Sequence, residues 1–416
     1  VSRPIWCNDL LTITAGFAFV KHSSSNNLAA NPAKLAVASG IVALSLVDRY
    51  TAENPTFQPM PREWKTMEKV TIQQVARAAG VSASTVSNLL NGRSGRMLPA
   101  TRDRITEAIA QLGYRPNRAA RELRTGRTRT VGLIVPSVGN PFWGAFAREL
   151  EHAALAEGYN VLLCNSERDP ERESHYVEEL WDDGVRDIVL CTSLPSLNHL
   201  AHIIDQGLRL VTFDRPAQAD DPSTVVSISI NNVVGGHLAA SHLTGLGHRR
   251  LTFVSGSLRS VNRTGRYQGF CSAVESAGLA VADMTLWTGA DESPFGDVEA
   301  ADVGRRAVHE IFAAADPPTG VVAINDMTAL GVCRGLRDLG LQVGRDVSVV
   351  GFDDIILADL YDPPLTTVRQ PISQMAQLAI AEIVSHHGLA HREPGRSVLL
   401  RPELIVRGST AAPPVN

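Results

Sequence analysis

Residues 70–90, VTIQQVARAAGVSASTVSNLL, decide how the amino-terminal part of this chain is built. Thr71 and Gln74 stand three apart ahead of an apolar run, the spacing at which a hydroxyl and an amide cap a helix start reciprocally. Ile72, Val75, Ala76 and Ala79 then recur at helical spacing, and Gly80 ends the segment where a positive φ is easily accommodated. Val81 is placed to plug the core under that turn, and Ser82 to cap a second helix whose Val86, Leu89 and Leu90 face inward. Ala83, Ser84, Thr85, Ser87 and Asn88 are left on its early or outward part, short side chains suited to hydrogen bonding. Two readings share this layout: a helix-turn-helix that offers its second helix to base edges in the DNA major groove, and an ordinary two-helix corner in a core.

Composition places the stretch in a larger frame. A chain of 416 residues, 44% hydrophobic and 20% charged, is long enough for two or three globular domains and does not have a disordered composition. Cys7, Cys164, Cys191, Cys271 and Cys333 lie far apart with no CxxC pair, so neither a zinc site nor a disulfide framework is expected. The formal net charge of −4 is uneven. Residues 67–130 carry 12 Lys/Arg against 4 Asp/Glu, whereas 131–416 carry 21 against 35. A basic module joined to an acidic body confines attraction to polyanions to the module.

Residues 1–66 read differently from the rest. Their apolar runs at 10–20 and 34–47 fall short of the roughly 18 residues a membrane helix needs, and the first has only Arg3 as a positive flank and no convincing cleavage site. All four lysines precede Val70, and Met67 stands just ahead of the organised region. The native chain is therefore expected to start at or near Met67, with 1–66 an upstream-extended or dispensable segment. After Asn91-Gly92 a basic connector leads to a third helix from Pro99, with Ile105, Ala108, Ile109 and Leu112 on one face and Gly113 as its stop. Asn117 can cap one more short helix over 118–124, rich in arginine and too short to be stable alone; it needs a second copy of itself or DNA.

From Thr130 onward strand-like runs alternate with helical ones. Strands are expected at 131–135, 161–164, 187–191, 210–213, 251–254, 321–324 and 347–351, and helices at 142–157, 171–182, 234–246, 266–277, 302–315 and 326–339. The alternation implies parallel sheets with helices on both faces, in two similar lobes.

VTIQQVARAAGVSASTVSNLLNGR, then YRPNRAARELR, then TVGLIVPSVGNPFW, resemble in this order the LacI/GalR family of bacterial transcription repressors, over about residues 70–407. The resemblance implies a small all-α helix-turn-helix DNA-binding domain plus an α/β two-lobed periplasmic-binding-protein-like effector domain. The implied division is 1–66 unassigned, 67–116 DNA-binding, 117–129 hinge helix and linker, and 130–416 effector-binding and dimerisation. Lobe 1 is expected over about 130–229 and 368–396, and lobe 2 over about 230–367 and 397–410.

The family's base-reading positions fall on Ala83, Ser84 and Asn88, with Thr85 and Ser87 nearby. Many members have arginine at Asn88; an asparagine suits the N6/N7 edge of adenine. Leu123 matches the leucine that the family inserts from the minor groove at the operator centre, where an apolar wedge kinks DNA at a cost of a few kcal/mol; a helix-packing leucine is the plain alternative. Leu98 stands where members place a capping Ser or Thr, and Ile230 where many have Asp. Effector-binding positions implied are Asn140, Phe142 and Trp143 after the first strand, Arg266 and Asp353, and Asp214, Arg215, Asn262 and Asn325, each of these four at a strand end or in a loop just after a strand. Arg266 and Asp353 offer the donor fork and the carboxylate acceptor that vicinal hydroxyls require. No cofactor is expected, and His242, His248 and the other histidines show no metal-ligand spacing.

No GxSxG, HExxH or phosphate-loop motif is present, which argues against an enzyme. The expected function is a cytoplasmic, ligand-responsive repressor of a carbohydrate-utilisation operon. It acts as a dimer or tetramer on palindromic double-stranded operator DNA, away from the membrane, and is released by a small sugar. A co-repressor mechanism sensing a purine or a phosphoprotein is the alternative, and a sugar-binding transport protein the rival of a different class.

Overall fold

The computed structural model describes residues 70–90, 92, 95, 97–114, 128–289, 300–385 and 397–414. The expected hinge helix with Leu123, the segment 1–66 and Cys7 lie outside the described residues. The chain divides into two compact units, Val1–Pro116 and Asn117–Asn416.

The first unit holds α1 (Ile72–Ala79), α2 (Ala83–Leu90) and α3 (Pro99–Leu112). Both halves of the reciprocal cap form: the Gln74 N–H donates to Thr71 Oγ1 at 3.3 Å, and the Thr71 N–H to Gln74 Oε1 at 2.7 Å. Gly80 takes φ 61°, and its N–H reaches back to the carbonyls of Ala76 and Arg77. Ser82 Oγ accepts from the Thr85 N–H at 3.2 Å. Pro99 opens α3 with no side-chain cap from Leu98, and Gly113 closes it at φ 62°. Val75, Val86 and Ile105 are fully buried against Ala76, Ala79 and Ala108. Three short helices thus share one small core, which sets the angle at which α2 is presented.

The second unit contains two six-stranded sheets. The first lobe runs β1 (Thr130–Val135), α4 (Pro141–Ala156), β2 (Asn160–Asn165), α5 (Pro170–Asp182), β3 (Asp187–Cys191), α6 (Ala201–Gln206), β4 (Arg209–Phe213) and β5 (Val226–Ile230). The second runs α7 (Asn232–Gly245), β6 (Leu251–Val254), α8 (Val261–Ser276), β7 (Thr285–Trp287), α9 (Ala300–Ile311), β8 (Gly320–Ala323), α10 (Asp326–Asp338), β9 (Ser348–Asp353), α11 (Ile356–Leu360) and β10 (Thr366–Arg369). The chain then returns through α12 (Ile372–Ser385), which packs on α4, and β11 (Ser397–Leu400), before β12 (Glu403–Ile405) rejoins the second lobe. Strand order is β11-β5-β4-β3-β1-β2 in one sheet and β12-β10-β9-β8-β6-β7 in the other, and among the described residues only the β10–β12 pair is antiparallel. Runs such as DIVLC and SVVGFD are buried along their whole length because helices cover both faces of a parallel sheet.

The chain crosses between lobes after β5, β10 and β11. The expected return to lobe 2 at residue 397 is therefore corrected: β11 pairs in parallel with β5, Leu400 opposite Ile230, so lobe 1 keeps the chain through Leu400. Ile230, in place of an acid, is 1% exposed and belongs to the apolar core, where a carboxylate would be costly to desolvate.

Candidate functional site

The carboxyl ends of strands from both sheets open on one cleft, lined by Asn140, Phe142, Trp143, Arg168, Ser193, Asp214, Ser260, Asn262, Arg263, Arg266, Ile324, Asn325 and Asp353. Eight of the nine expected effector residues meet there, in the position that open α/β sheets reserve for ligands. Arg215 does not. It is fully buried, its Nη1 2.5 Å from Asp221 Oδ2, and it donates to the carbonyls of Leu194 and Pro195. An arginine on an apolar strand end becomes a brace for two loops instead of a ligand contact, because every surrounding acceptor belongs to those loops.

Helix starts position much of the lining. Asn140 caps α4 by accepting from the Phe142 N–H, Ser260 caps α8 through the Arg263 N–H, and Asn325 caps α10 through the Thr328 N–H. Three helix N-termini, each carrying partial positive charge, thus point at the cleft. Backbone strain gathers at the same place. Glu167 and Arg168 after β2, Asp214 after β4, and Asp353 and Asp354 at the end of β9 are the described non-glycine residues with positive φ. Such a conformation costs about 1–2 kcal/mol per residue and clusters at functional sites.

Arg266 organises the second-lobe wall. Its Nε donates to Asn232 Oδ1 at 2.8 Å and its Nη1 to the Ile324 carbonyl at 2.7 Å, while the guanidinium lies 3.6 Å from the centre of the Phe352 ring. Nη1 also lies 3.9 Å from Asp353 Oδ1. With five N–H groups in all, three remain beyond those two bonds. Asp353 accepts from Gln370 Nε2 at 2.8 Å, and burial pushes its carboxyl well above the usual carboxylate range against the pull of Arg266. Behind it, the fully buried Asp326 accepts from the Thr367 hydroxyl and the Ile355 N–H. Burial, only partly offset by those bonds, pushes Asp326 up to about 7.

The lobes touch directly across the cleft. Asn262 Nδ2 donates to the Asp214 carbonyl, and the Val261 N–H to the Ser193 carbonyl at 3.1 Å. The space left inside is about 30 Å³, room for one or two waters but not for a sugar ring. Ligand entry thus requires the lobes or their side chains to move.

Sequence reasoning missed Arg168, Ser193, Ser260, Arg263, Ile324 and the supporting Asn232. One signal was legible: Ser260 is a sound N-cap, and recognising it would have started α8 at Val261 instead of Arg266. That start places Asn262 and Arg266 one turn apart on the same face. Arg168 and Ser193 sit in loops with no local pattern.

On α2, Ser84 and Asn88 are exposed, and Ala83, Thr85 and Ser87 half-buried. Ser84 Oγ and Thr85 Oγ1 lie 2.7 and 2.8 Å from Ser82 Oγ, so both hydroxyls are engaged with the cap.

Residues 71–117 match the family described as bacterial regulatory proteins, lacI family, and 240–410 match the periplasmic binding protein-like domain. The chain is 32% identical over 363 residues to the HTH-type transcriptional regulator DegA of Bacillus subtilis (strain 168), covering 84% of this chain and 99% of DegA. It belongs to the lacI family. Another relative, the HTH-type transcriptional repressor PurR of Serratia proteamaculans (strain 568), is 31% identical over 83% of this chain and 98% of PurR. Among solved structures, the complex of the transcriptional regulator CelR with cellobiose is 30% identical with a TM-score of 0.58, covering 82% of this chain and 99% of that one. The lac repressor dimer bound to operator and the anti-inducer ONPF is 26% identical with a TM-score of 0.71, covering 83% and 100%.

As a lacI-family protein the chain is a ligand-responsive, DNA-binding transcription regulator and not an enzyme. No helix among the described residues is long and apolar enough to cross a membrane.

Proposed function

We propose that this lacI-family regulator is a cytoplasmic homodimer that represses a carbohydrate-utilisation operon and is released when a small sugar enters the cleft. The observation carrying the reading is the cleft wall itself: an indole (Trp143), a guanidinium with spare N–H groups (Arg266) and a carboxyl group (Asp353) facing one space. Sugars present an apolar ring face to aromatics and vicinal hydroxyls to donor–acceptor pairs. Supporting a dimer, Leu162 and Leu163 are exposed on the edge strand β2, and Ile356 and Leu360 on α11 are 72% and 71% exposed. These are the apolar side chains that a partner protomer would cover in this proposal.

Operator reading falls to α2 in this proposal. Asn88 is exposed and outside the Ser82 hydroxyl cluster, so it is the side chain readiest for a base edge, and adenine is its geometric match. A two-fold dimer requires a palindromic site, and Leu123 is assigned the wedge role at its centre. Effector binding shifts a two-state equilibrium only through unequal affinity for the two lobe arrangements. The closed cleft, bridged by Asn262 and Val261, is one such arrangement.

A thermal-shift screen of sugars and nucleobases, followed by operator binding with each hit, tests the reading. A sugar that stabilises the protein and weakens operator binding is expected. Stabilisation by nucleobases alone, or a hit that tightens operator binding, would replace it with a co-repressor mechanism.

A further inference from the structure

Three buried side chains join the cleft wall to the contact between the lobes in one line. Arg266 Nε donates to Asn232 Oδ1 at 2.8 Å, Asn232 Nδ2 donates to Asn262 Oδ1 at 3.1 Å, and Asn262 Nδ2 donates to the Asp214 carbonyl in the other lobe. A guanidinium only donates and a main-chain carbonyl only accepts, so the two ends fix both amides between them. Each amide must turn its oxygen toward Arg266 and its nitrogen toward Asp214; a flip of either sets two oxygens or two nitrogens against each other. Bonds in such a chain polarise and strengthen one another. The middle link stands at a crossing of the chain. Asn232 is the first residue of α7, reached directly from β5 of lobe 1, and the preceding Asn231 N–H is still bonded to the Leu400 carbonyl of β11. Helix α8 comes close enough because Gly265 has no side chain: a Cβ there would stand 3.1 Å from Asn232 Cβ.

We infer that Asn232 is a positioning residue that carries the state of Arg266 to the contact between the lobes. An effector that draws the guanidinium into the cleft takes the donor from Asn232. That amide is then free to turn, and a turned amide sets its oxygen against Asn262 Oδ1, so the bond to Asp214 loses its alignment and the lobes part. The inference rests on the reading of Arg266 as an effector contact; the link from Arg266 to the lobe contact is measured without effector, so its failure is separate from a failure of that reading.

Val261 supplies the readout. It is the first residue of α8, so its N–H has no acceptor in its own helix and is bonded instead to the Ser193 carbonyl of lobe 1 at 3.1 Å. Hydrogen exchange at this amide, followed by mass spectrometry on the full chain, reports parting of the lobes, and exchange in β6 is the reference for overall stability. Asn262→Ala removes the contact itself and should speed Val261 exchange roughly five- to ten-fold, the effect of one buried hydrogen bond, with β6 unchanged. Asn232→Asp keeps an acceptor for Arg266 and leaves Asn262 and Asp214 in place, yet should speed it nearly as far, because a carboxylate has nothing to donate to Asn262. Asn232→Ala should match it, and neither substitution should add to Asn262→Ala. Arg266→Lys keeps a cation beside Asp353 but places no N–H at the Nε position; it should speed Val261 exchange in the wild type and add nothing to Asn232→Ala. Wild-type exchange at Val261 in Asn262→Ala or in both Asn232 variants overturns the inference. So does an additive rise in the double variants, or a rise that β6 shares in full, since each reduces Asn232 to a packing residue.

Discussion

Substituting Gly236→Ala sets two opposing effects against each other at the helix pair that carries the effector residues. Gly236 lies in α7, and a Cβ there would stand 1.9 Å from the Arg266 carbonyl oxygen of α8. Ordinary contact begins near 3.4 Å, so the two helices must part by roughly 1.5 Å or the backbone must bend. The obstacle is main chain, which cannot rotate away. Alanine gains up to about 1 kcal/mol in helix propensity, whereas forced overpacking costs about 1–3 kcal/mol or more. The upper end applies to a rigid carbonyl, leaving a net loss of about 2 kcal/mol, a fall of roughly 4–8 °C in melting temperature. The displaced group is the backbone of Arg266 itself, so its bonds to Asn232 and Ile324 loosen and effector affinity falls too. Gly245→Ala is the control: it lies in the same helix with nothing within 4 Å of the added methyl, so it should be neutral or slightly stabilising. Differential scanning fluorimetry of both variants decides the matter. If Gly236→Ala melts with the wild type, or Gly245→Ala falls as far, the close helix approach does not have the role assigned to it.

Other perturbations separate support from recognition. Arg266→Ala strips the Ile324 carbonyl, Asn232 and the buried Asp353 of their cation at once, and breaking a buried pair typically costs about 3–5 kcal/mol; calorimetry should show a large stability loss alongside the lost ligand response. Leu98→Ser supplies the missing cap to α3 at a site 72% exposed, worth about 1 kcal/mol, and amide exchange in the first turn of α3 should slow roughly five-fold. Asp326, raised from 3.8 to about 7, holds its proton more tightly in the folded than in the unfolded chain; stability should therefore fall as pH rises from about 4 to about 7 and then level off. Asp326→Asn should flatten that part of the profile in urea unfolding, since Thr367 can accept from the new amide; an unchanged slope would exclude Asp326 as its source. Asn88→Arg should move the preferred operator base from adenine toward guanine in site selection, and an unchanged base would refute the reading role.

The α/β series was legible because buried parallel strands are continuous apolar runs and their helices have clear periodicity. Residues 187–191 and 251–254 were placed to the residue. Strands β5, β7, β10, β11 and β12 were not: TLW, SVLL and ELI are short, half-exposed edge segments whose pairing comes from distant chain, and the buried VSISI and TTVR carry Ser and Thr that interrupt the apolar run. Arg215 and Arg266 show why site residues are harder. Both are arginines at the end of an apolar element, and only their neighbours distinguish a loop brace from a cleft wall.

The sequence by itself determined the helix-turn-helix, since its caps, its Gly80 turn and its core spacing are all local. Its strand and helix alternation determined the two-lobed body, and its resemblance to the family pointed to most of the cleft residues. Tertiary structure alone decided that Arg215 faces away from the cleft, that β11 belongs to the first lobe, and that Asn232 bridges Arg266 and Asn262. Those outcomes depend on which surfaces meet once distant segments pack, and no periodicity along the chain encodes such a meeting.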